Sequence, residues 1–252
     1  MELMNGVILY SVGLCEDALP ILDAFLVKIS NSTDLIERAS IIPIAFYAGN
    51  CTIVENNWSK AIEYYELSRK FDEVPIPQLT NLAWINLKTG NEERAFELMK
   101  EVVGLLGPDS FTGFDRSRYI SALNKSAQLY ALAEHYDDAI TNLTTAIELP
   151  LDNIPDPPNL YLLRGQMYLA LYEWDSALAD YNTAIELDSD YADAYYERGV
   201  LYYSILQTGV ELRTDALADF QRYLELAPNG DKAADAARYV EQIETELESL
   251  NG

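Results

Sequence analysis

The chain has 252 residues, 49% of them apolar, which is ample for a core and rules out a disordered chain. Its 41 acidic residues against 17 basic ones leave a formal charge of −24, which argues against nucleic acid as a ligand because phosphate neutralisation needs clustered Lys and Arg. Residues 1–125 carry −6 and residues 126–252 carry −18, so the acidic field lies in the C-terminal half, as a solvated surface or as a means of steering a basic partner.

The opening stretch, MELMNGVILYSVGLCEDALPILDAFLVKI, is apolar but has no basic start and holds Glu2, Glu16, Asp17 and Asp23. It fits neither a signal peptide nor a membrane span of about 20 apolar residues, so no membrane insertion of this chain is expected. Any export signal or anchor lies upstream; without one, the cytoplasm is the expected compartment. Cys15 and Cys51 show no metal spacing and no disulfide framework, and read as small buried hydrophobes.

From residue 34 onward a pattern of small residues recurs. The intervals from Gly49 to Ala83, Ala127, Gly165 and Gly199 in turn are 34, 44, 38 and 34. Twelve residues after the first four come Ala61, Ala95, Ala139 and Ala177, whereas Ala216 follows Gly199 by 17, an insertion of five. Ala146 and Ala184 lie seven residues further on, and units close with AIELPLD, AIELDSD and YLELAPN. The spacing predicts helical hairpins over 34–75, 76–109, 116–151, 158–191 and 192–229. Residues 104–116 (GLLGPDSFTGFDR) and 150–158 (PLDNIPDPP) read as longer loops, and 204–215 as an extension of the last two helices around Thr208-Gly209. Beyond Pro228-Asn229-Gly230, residues 230–250 place Ala233, Ala236, Val240, Ile243 and Leu247 on one helical face with acids opposite, the pattern of a capping helix.

The pattern resembles the tetratricopeptide repeat (TPR) family, a helix-turn-helix unit of about 34 residues. The match is strongest over 158–228, in Gly165, Tyr168, Trp174, Ala177, Tyr181 and Ala184, then Gly199, Tyr202, Ala216, Phe220 and Pro228. Ser68 and Asn86 depart from it in the weaker units. Residues 1–33 read as a degenerate unit with Gly6, Gly13 and Ala18, but Phe25 occupies a usually small position and Pro20 is expected to interrupt the second helix. The resemblance implies an all-α, right-handed superhelical solenoid over residues 1–252, treated as one domain with five clear or moderate units. The physical reason for the small residues is length. Helices of about 13 residues span roughly 20 Å and are marginal alone, so they must pack closely, which glycine and alanine permit.

Catalytic chemistry finds poor candidates. His135 is the single histidine and falls in a turn, and the glycines follow the repeat period rather than a phosphate-binding loop. Asp188, Asp190 and Asp193 are out of register for a calcium loop and read as helix caps. Asn31, Asn50, Asn57, Asn124 and Asn142 begin Asn-x-Ser/Thr triplets, of which only Asn31 and Asn57 are expected in loops. No catalytic residue, cofactor or metal is expected.

The family resemblance implies a concave wall built by the first helix of each unit. Carried over by position, the wall is Phe46, Asn50 and Ile53; Thr80, Trp84 and Leu87; Asn124, Gln128 and Ala131; Leu162, Gln166 and Leu169; and Tyr196, Val200 and Tyr203. Asn50, Asn124, Gln128 and Gln166 offer amides that suit a peptide backbone, and Phe46, Trp84, Leu162 and Tyr196 offer apolar contact. A chaperone-tail clamp is disfavoured, since Asn50, Asn81, Ser121 and Lys125 supply only part of it. The expected function is a non-enzymatic scaffold holding a peptide or protein segment in this groove. The alternative is an assembly or docking subunit whose acidic C-terminal half or convex face binds a basic partner.

Overall fold

The computed structural model describes residues 2–29, 35–72, 75–105, 113–149, 157–205 and 210–251, and they are all-α, with thirteen helices and no strand. The chain divides into two compact units, residues 1–110 and 111–252. The first holds α1 (Glu2–Ser11), α2 (Cys15–Ile29), α3 (Leu35–Val54), α4 (Trp58–Arg69), α5 (Ile76–Lys88) and α6 (Glu92–Leu105). The second holds α7 (Gly113–Leu132), α8 (Tyr136–Glu148), α9 (Pro158–Ala170), α10 (Trp174–Leu187), α11 (Ala192–Ile205), α12 (Val210–Leu226) and α13 (Ala233–Asn251). Within each unit every helix packs on the next, and alternate helices also touch, α1 with α3 and α9 with α11.

The recurrent glycines are seats for rings. An added Cβ at Gly49 would lie 2.8 Å from Tyr65 Cε1, at Gly165 2.5 Å from Tyr181 Cε1, and at Gly199 3.1 Å from Phe220 Cε1. Counting the glycine as i, the ring belongs to i+16 in the first two pairs and to i+21 in the third, which absorbs the insertion of five. Where alanine replaces glycine, at Ala83 and Ala127, the side chain at i+16 is Met99 or Leu143, both fully buried aliphatic chains. Small and large side chains therefore alternate between paired helices, as close packing demands.

The hairpin turns share one backbone device. Gly13, Asn56, Gly90, Glu134 and Tyr172 have positive φ, and the next residue returns its N–H to a carbonyl five positions back, as in His135 to Tyr130 (2.9 Å) and Glu173 to Tyr168 (2.8 Å). This is a Schellman ending, which satisfies the last carbonyls of a helix and aims the chain into the next.

Arginines join neighbouring hairpins. Arg164 on α9 forks onto Asp180 of α10 at 2.8 and 2.7 Å and sends its third nitrogen to Thr144 Oγ1 of α8 at 3.1 Å. Arg198 on α11 repeats the arrangement with Asp219 of α12, both bonds at 2.8 Å, and reaches back to Asn182 of α10 at 2.6 Å. At the corresponding positions of the preceding hairpin, Asn142 donates to Ser126 at 2.9 Å.

Several expectations are corrected. Cys15 and Cys51 form a disulfide with Cα atoms 5.1 Å apart, tying the start of α2 to the end of α3. The 36-residue separation hid the pair, because only packing of two hairpins brings these helix ends together. Helix α2 runs through Pro20; the ring is exposed in an early turn, so the helix loses a single hydrogen bond and suffers no buried clash. The expected loop at 104–116 is helical at both ends, since α6 reaches Leu105 and α7 starts at Gly113, beyond which the sequence holds no further breaker. Residues 106–112 and 150–156, Asn31 and the Thr208-Gly209 step lie outside the described residues. Pro157 and Pro158 open α9, where a missing N–H is harmless. In α13, Ala236 and Ile243 are fully buried, while Glu241, Glu244 and Glu248 face solvent.

Candidate functional site

In the N-terminal unit the expected wall residues are engaged within the chain. Asn50 donates to Tyr10 Oη at 2.8 Å and accepts from Tyr65 Oη at 2.6 Å and from Asn81 at 3.3 Å, joining α1, α3, α4 and α5. Its amide is therefore a structural node, not an open clamp. Burial pushes the Tyr65 hydroxyl well above the ordinary tyrosine range, so it stays a donor. Phe46 packs on Tyr65 with ring centroids 5.7 Å apart. Thr80 returns its hydroxyl to the Ile76 carbonyl, and Ile53 is half-buried. Trp84 meets Trp58 edge to face at 5.5 Å and remains half-buried, with Lys88 Nζ 5.8 Å from its ring.

In the C-terminal unit, part of the expected wall is engaged by the chain's own last helices. Tyr196 packs on Phe220 and Tyr223 at 5.7 and 5.4 Å, and Lys232 Nζ lies 4.9 Å from its ring. Tyr203 meets Tyr239 with tilted rings, centroids 5.2 Å apart, accepts a short hydrogen bond from Gln242 and donates to Glu246 at 3.3 Å. Val200 belongs to the same cluster. These three are half-buried, their inner sides engaged with α12 and α13. Leu162 fails as a groove residue: it is 6% exposed in the core, and its neighbour Leu163 takes the outward place.

Among the expected wall residues, Gln128, Ala131 and Gln166 share a concavity. A cavity of about 330 Å³ opens between α7, α8 and α9, with Ala127 and Leu143 among its apolar lining and Ala131, Leu132, Leu163 and Met167 beside them. Gln128 and Gln166 are its two polar side chains. The structure thus brings two of the sequence-derived amides to one site, with Ala131. Leu163, Met167 and Leu132 were missed because the positional carry-over took one narrow row of each helix, whereas an exposed helical face spans roughly 100° or more. Leu132, in its lining, is 61% exposed.

The amides are held differently. Gln128 is exposed and donates to Asn124 Oδ1 at 3.0 Å within the same helix. Gln166 is half-buried and donates to Glu197 Oε1 at 3.0 Å on α11; Glu197 in turn pairs with Lys232 at 2.9 Å. Lys125 on α7 is an exposed cation three residues from Gln128, whereas carboxylates predominate farther along the chain. All six cations of residues 157–251 are ion-paired: Arg164 with Asp180, Arg198 with Asp219, Arg213 with Glu246, Arg222 with Asp190, Lys232 with Glu197 and Arg238 with Asp235.

Residues read for other chemistry are accounted for locally. His135 precedes α8 with Nδ1 3.5 Å from Asp138. Asp188 ends α10 and accepts from the Asp190 N–H, while Asp190 and Asp193 meet Arg222 and Lys232, so ion pairing joins capping in their explanation. Among the described residues no group of three His, Cys, Asp or Glu is placed to hold a metal ion. Among them, too, no helix is long and apolar enough to cross a membrane. Asn57 caps α4 by accepting from the Lys60 N–H, whereas Asn50, Asn124 and Asn142 lie within helices.

The family described as TPR repeat matches residues 165–205. Among solved structures, MamA is 22% identical, with 71% of this chain and 94% of that one covered at a TM-score of 0.53. YrrB, described as a TPR protein with an unusual peptide-binding site, is 20% identical over 86% of this chain and 99% of that one, with a TM-score of 0.53. The Cut9–Hcn1 hetero-tetramer of the APC/C gives 15% identity over 96% of this chain and 42% of that one, with a TM-score of 0.57. No curated protein matches the chain at a significant level.

Proposed function

We propose, for a chain that belongs to the tetratricopeptide-repeat family, that it acts without catalysis as a scaffold whose exposed wall holds a peptide or protein segment. The observation that carries this reading is the cavity between α7, α8 and α9, where two amide side chains stand over an otherwise apolar lining. Such a site suits an extended segment: the lining takes a side chain, and the amides serve the backbone with little regard for sequence. Peptide binding by YrrB, on the same kind of fold, supports the reading. Trp84, half-buried on Trp58, is proposed as an apolar contact in the N-terminal unit.

Capture of peptides from an array, repeated with Leu163→Asp and with Trp84→Ala, tests the proposal. Leu163→Asp places a charge in the cavity wall and abolishes capture, and Trp84→Ala weakens it. Unaltered capture by Leu163→Asp removes the cavity from the account.

A further inference from the structure

We infer that the segment seated in the α7–α8–α9 cavity is cationic, anchored by one apolar side chain, and held at Gln166 by donating a backbone N–H; Glu197 is the residue that sets this polarity. This rests on the groove reading above and adds the chemistry of the occupant.

Valence fixes the orientation of Gln166. A carboxylate only accepts hydrogen bonds, so the Gln166 amide must turn its NH2 toward Glu197, as the 3.0 Å contact records. Glu197 is itself fixed by Lys232 at 2.9 Å, and its side chain is only 12% exposed. The amide cannot flip without placing its carbonyl against the carboxylate. Its Oε1 therefore remains the acceptor for a ligand, and the ligand must bring a donor. A backbone N–H next to the anchoring side chain supplies one.

The size of the anchor follows from the space. Cavities of about 150 Å³ with Leu, Ile and Phe walls take up a benzene molecule. The space here, about 330 Å³, therefore admits one large apolar side chain with part of its backbone.

Charge selects what flanks that anchor. The cations of residues 157–251 are each paired with a carboxylate, and residues 126–252 carry a net −18 that the exposed Lys125 of α7 offsets by one, so a cationic segment meets attraction and an acidic one repulsion. Glu134 is exposed in the turn after α7, two residues beyond the cavity-lining Leu132. Neither feature alone defines a site; the cavity, the fixed acceptor and the field together specify one occupant.

The test uses the whole chain and fluorescein-labelled peptides with a single leucine or phenylalanine flanked by lysines, serines or glutamates, read by fluorescence anisotropy. The expected order is lysine, then serine, then glutamate, with at least about ten-fold between the extremes at low salt and a smaller ratio at high salt. N-methylation of the anchor's backbone nitrogen in the lysine peptide weakens binding by about ten-fold, the scale of one hydrogen bond. Gln166→Met keeps the apolar wall but erases the difference between N–H and N-methyl peptides. Glu197→Gln lets the amide turn either way and shrinks the same difference, an effect that lost stability alone does not produce. If glutamate peptides bind as tightly as lysine peptides, the cationic occupant is wrong while the groove stands. If N-methylation is without effect in the unmodified chain, the role of Gln166 and Glu197 is wrong. If no peptide of any series binds, the groove reading itself falls.

Discussion

At Gly165 the Tyr181 ring occupies the volume a side chain would need. Ring atoms lie 2.5 and 2.8 Å from the ideal Cβ position, and Tyr181 is fully buried, so the ring has nowhere to retreat. Gly165→Ala is expected to lower stability by about 1–3 kcal/mol through overpacking, and Gly199→Ala by less, since Phe220 lies 3.1 Å away. Tyr181→Leu in the Gly165→Ala background recreates the combination of Ala127 with Leu143, and the double variant is expected to recover part of the loss in a denaturation cycle. The adjacent Arg164 acts by charge. Its partner Asp180 is 5% exposed, so Arg164→Ala leaves a buried carboxylate unpaired and is expected to cost about 3–5 kcal/mol in urea unfolding. Arg164 and Arg198 each stand directly before a recurrent glycine, but their carboxylate partners lie on other helices, so periodicity alone gives them no role.

Between helices, the turns hold a stabilising change in reserve. Glu134 has φ 62° and is exposed, a backbone state that strains any residue with a Cβ. Glu134→Gly relieves it and is expected to raise stability by about 1 kcal/mol, seen as a higher Tm by circular dichroism. Gly13 and Gly90 announced such turns, whereas Asn56, Glu134 and Tyr172 did not, because the repeat imposes the conformation through the surrounding packing. The link from α4 to α2 is sensitive to alkali. Tyr64 Oη donates to Asp23 at 2.7 Å, and burial, then that hydrogen bond, raise its pKa far above the usual value of about 10. The folded chain thus holds this proton more tightly than the unfolded one. The stabilisation is complete below pH of about 10 and is lost as pH rises through the folded pKa. Tyr64→Phe, which has no proton to lose, is expected to flatten the decline in unfolding free energy measured above that pH.

Across the whole chain, the order of helices was legible because each hairpin repeats one local solution, and a period of about 34 residues survives substitution at most surface positions. The site was legible only in part. Gln128 and Gln166 fell where one register of the wall predicts, but Leu162 turned inward, and Asn50, Tyr196 and Tyr203 were claimed by α1, α4, α5, α12 and α13. Such contacts join segments far apart in sequence, so no local pattern records them. The Cys15–Cys51 bond was hidden for the same reason. In a repeat array each hairpin is stabilised chiefly by its neighbours, so a perturbation is felt mainly where it is made. The disulfide lies within residues 1–110 and the Arg164–Asp180 pair within residues 111–252. Closing a loop of 36 residues restrains the unfolded chain by about 3–4 kcal/mol in the chain-entropy picture, and reduction removes that restraint. Hydrogen exchange read by mass spectrometry on peptides from both units is therefore expected to show faster exchange in α1 to α4 after reduction, with α9 to α13 unchanged, and the reverse pattern for Arg164→Ala. Equal acceleration in both units under either perturbation means the chain unfolds as one cooperative body, and the local character assigned to these contacts is then wrong.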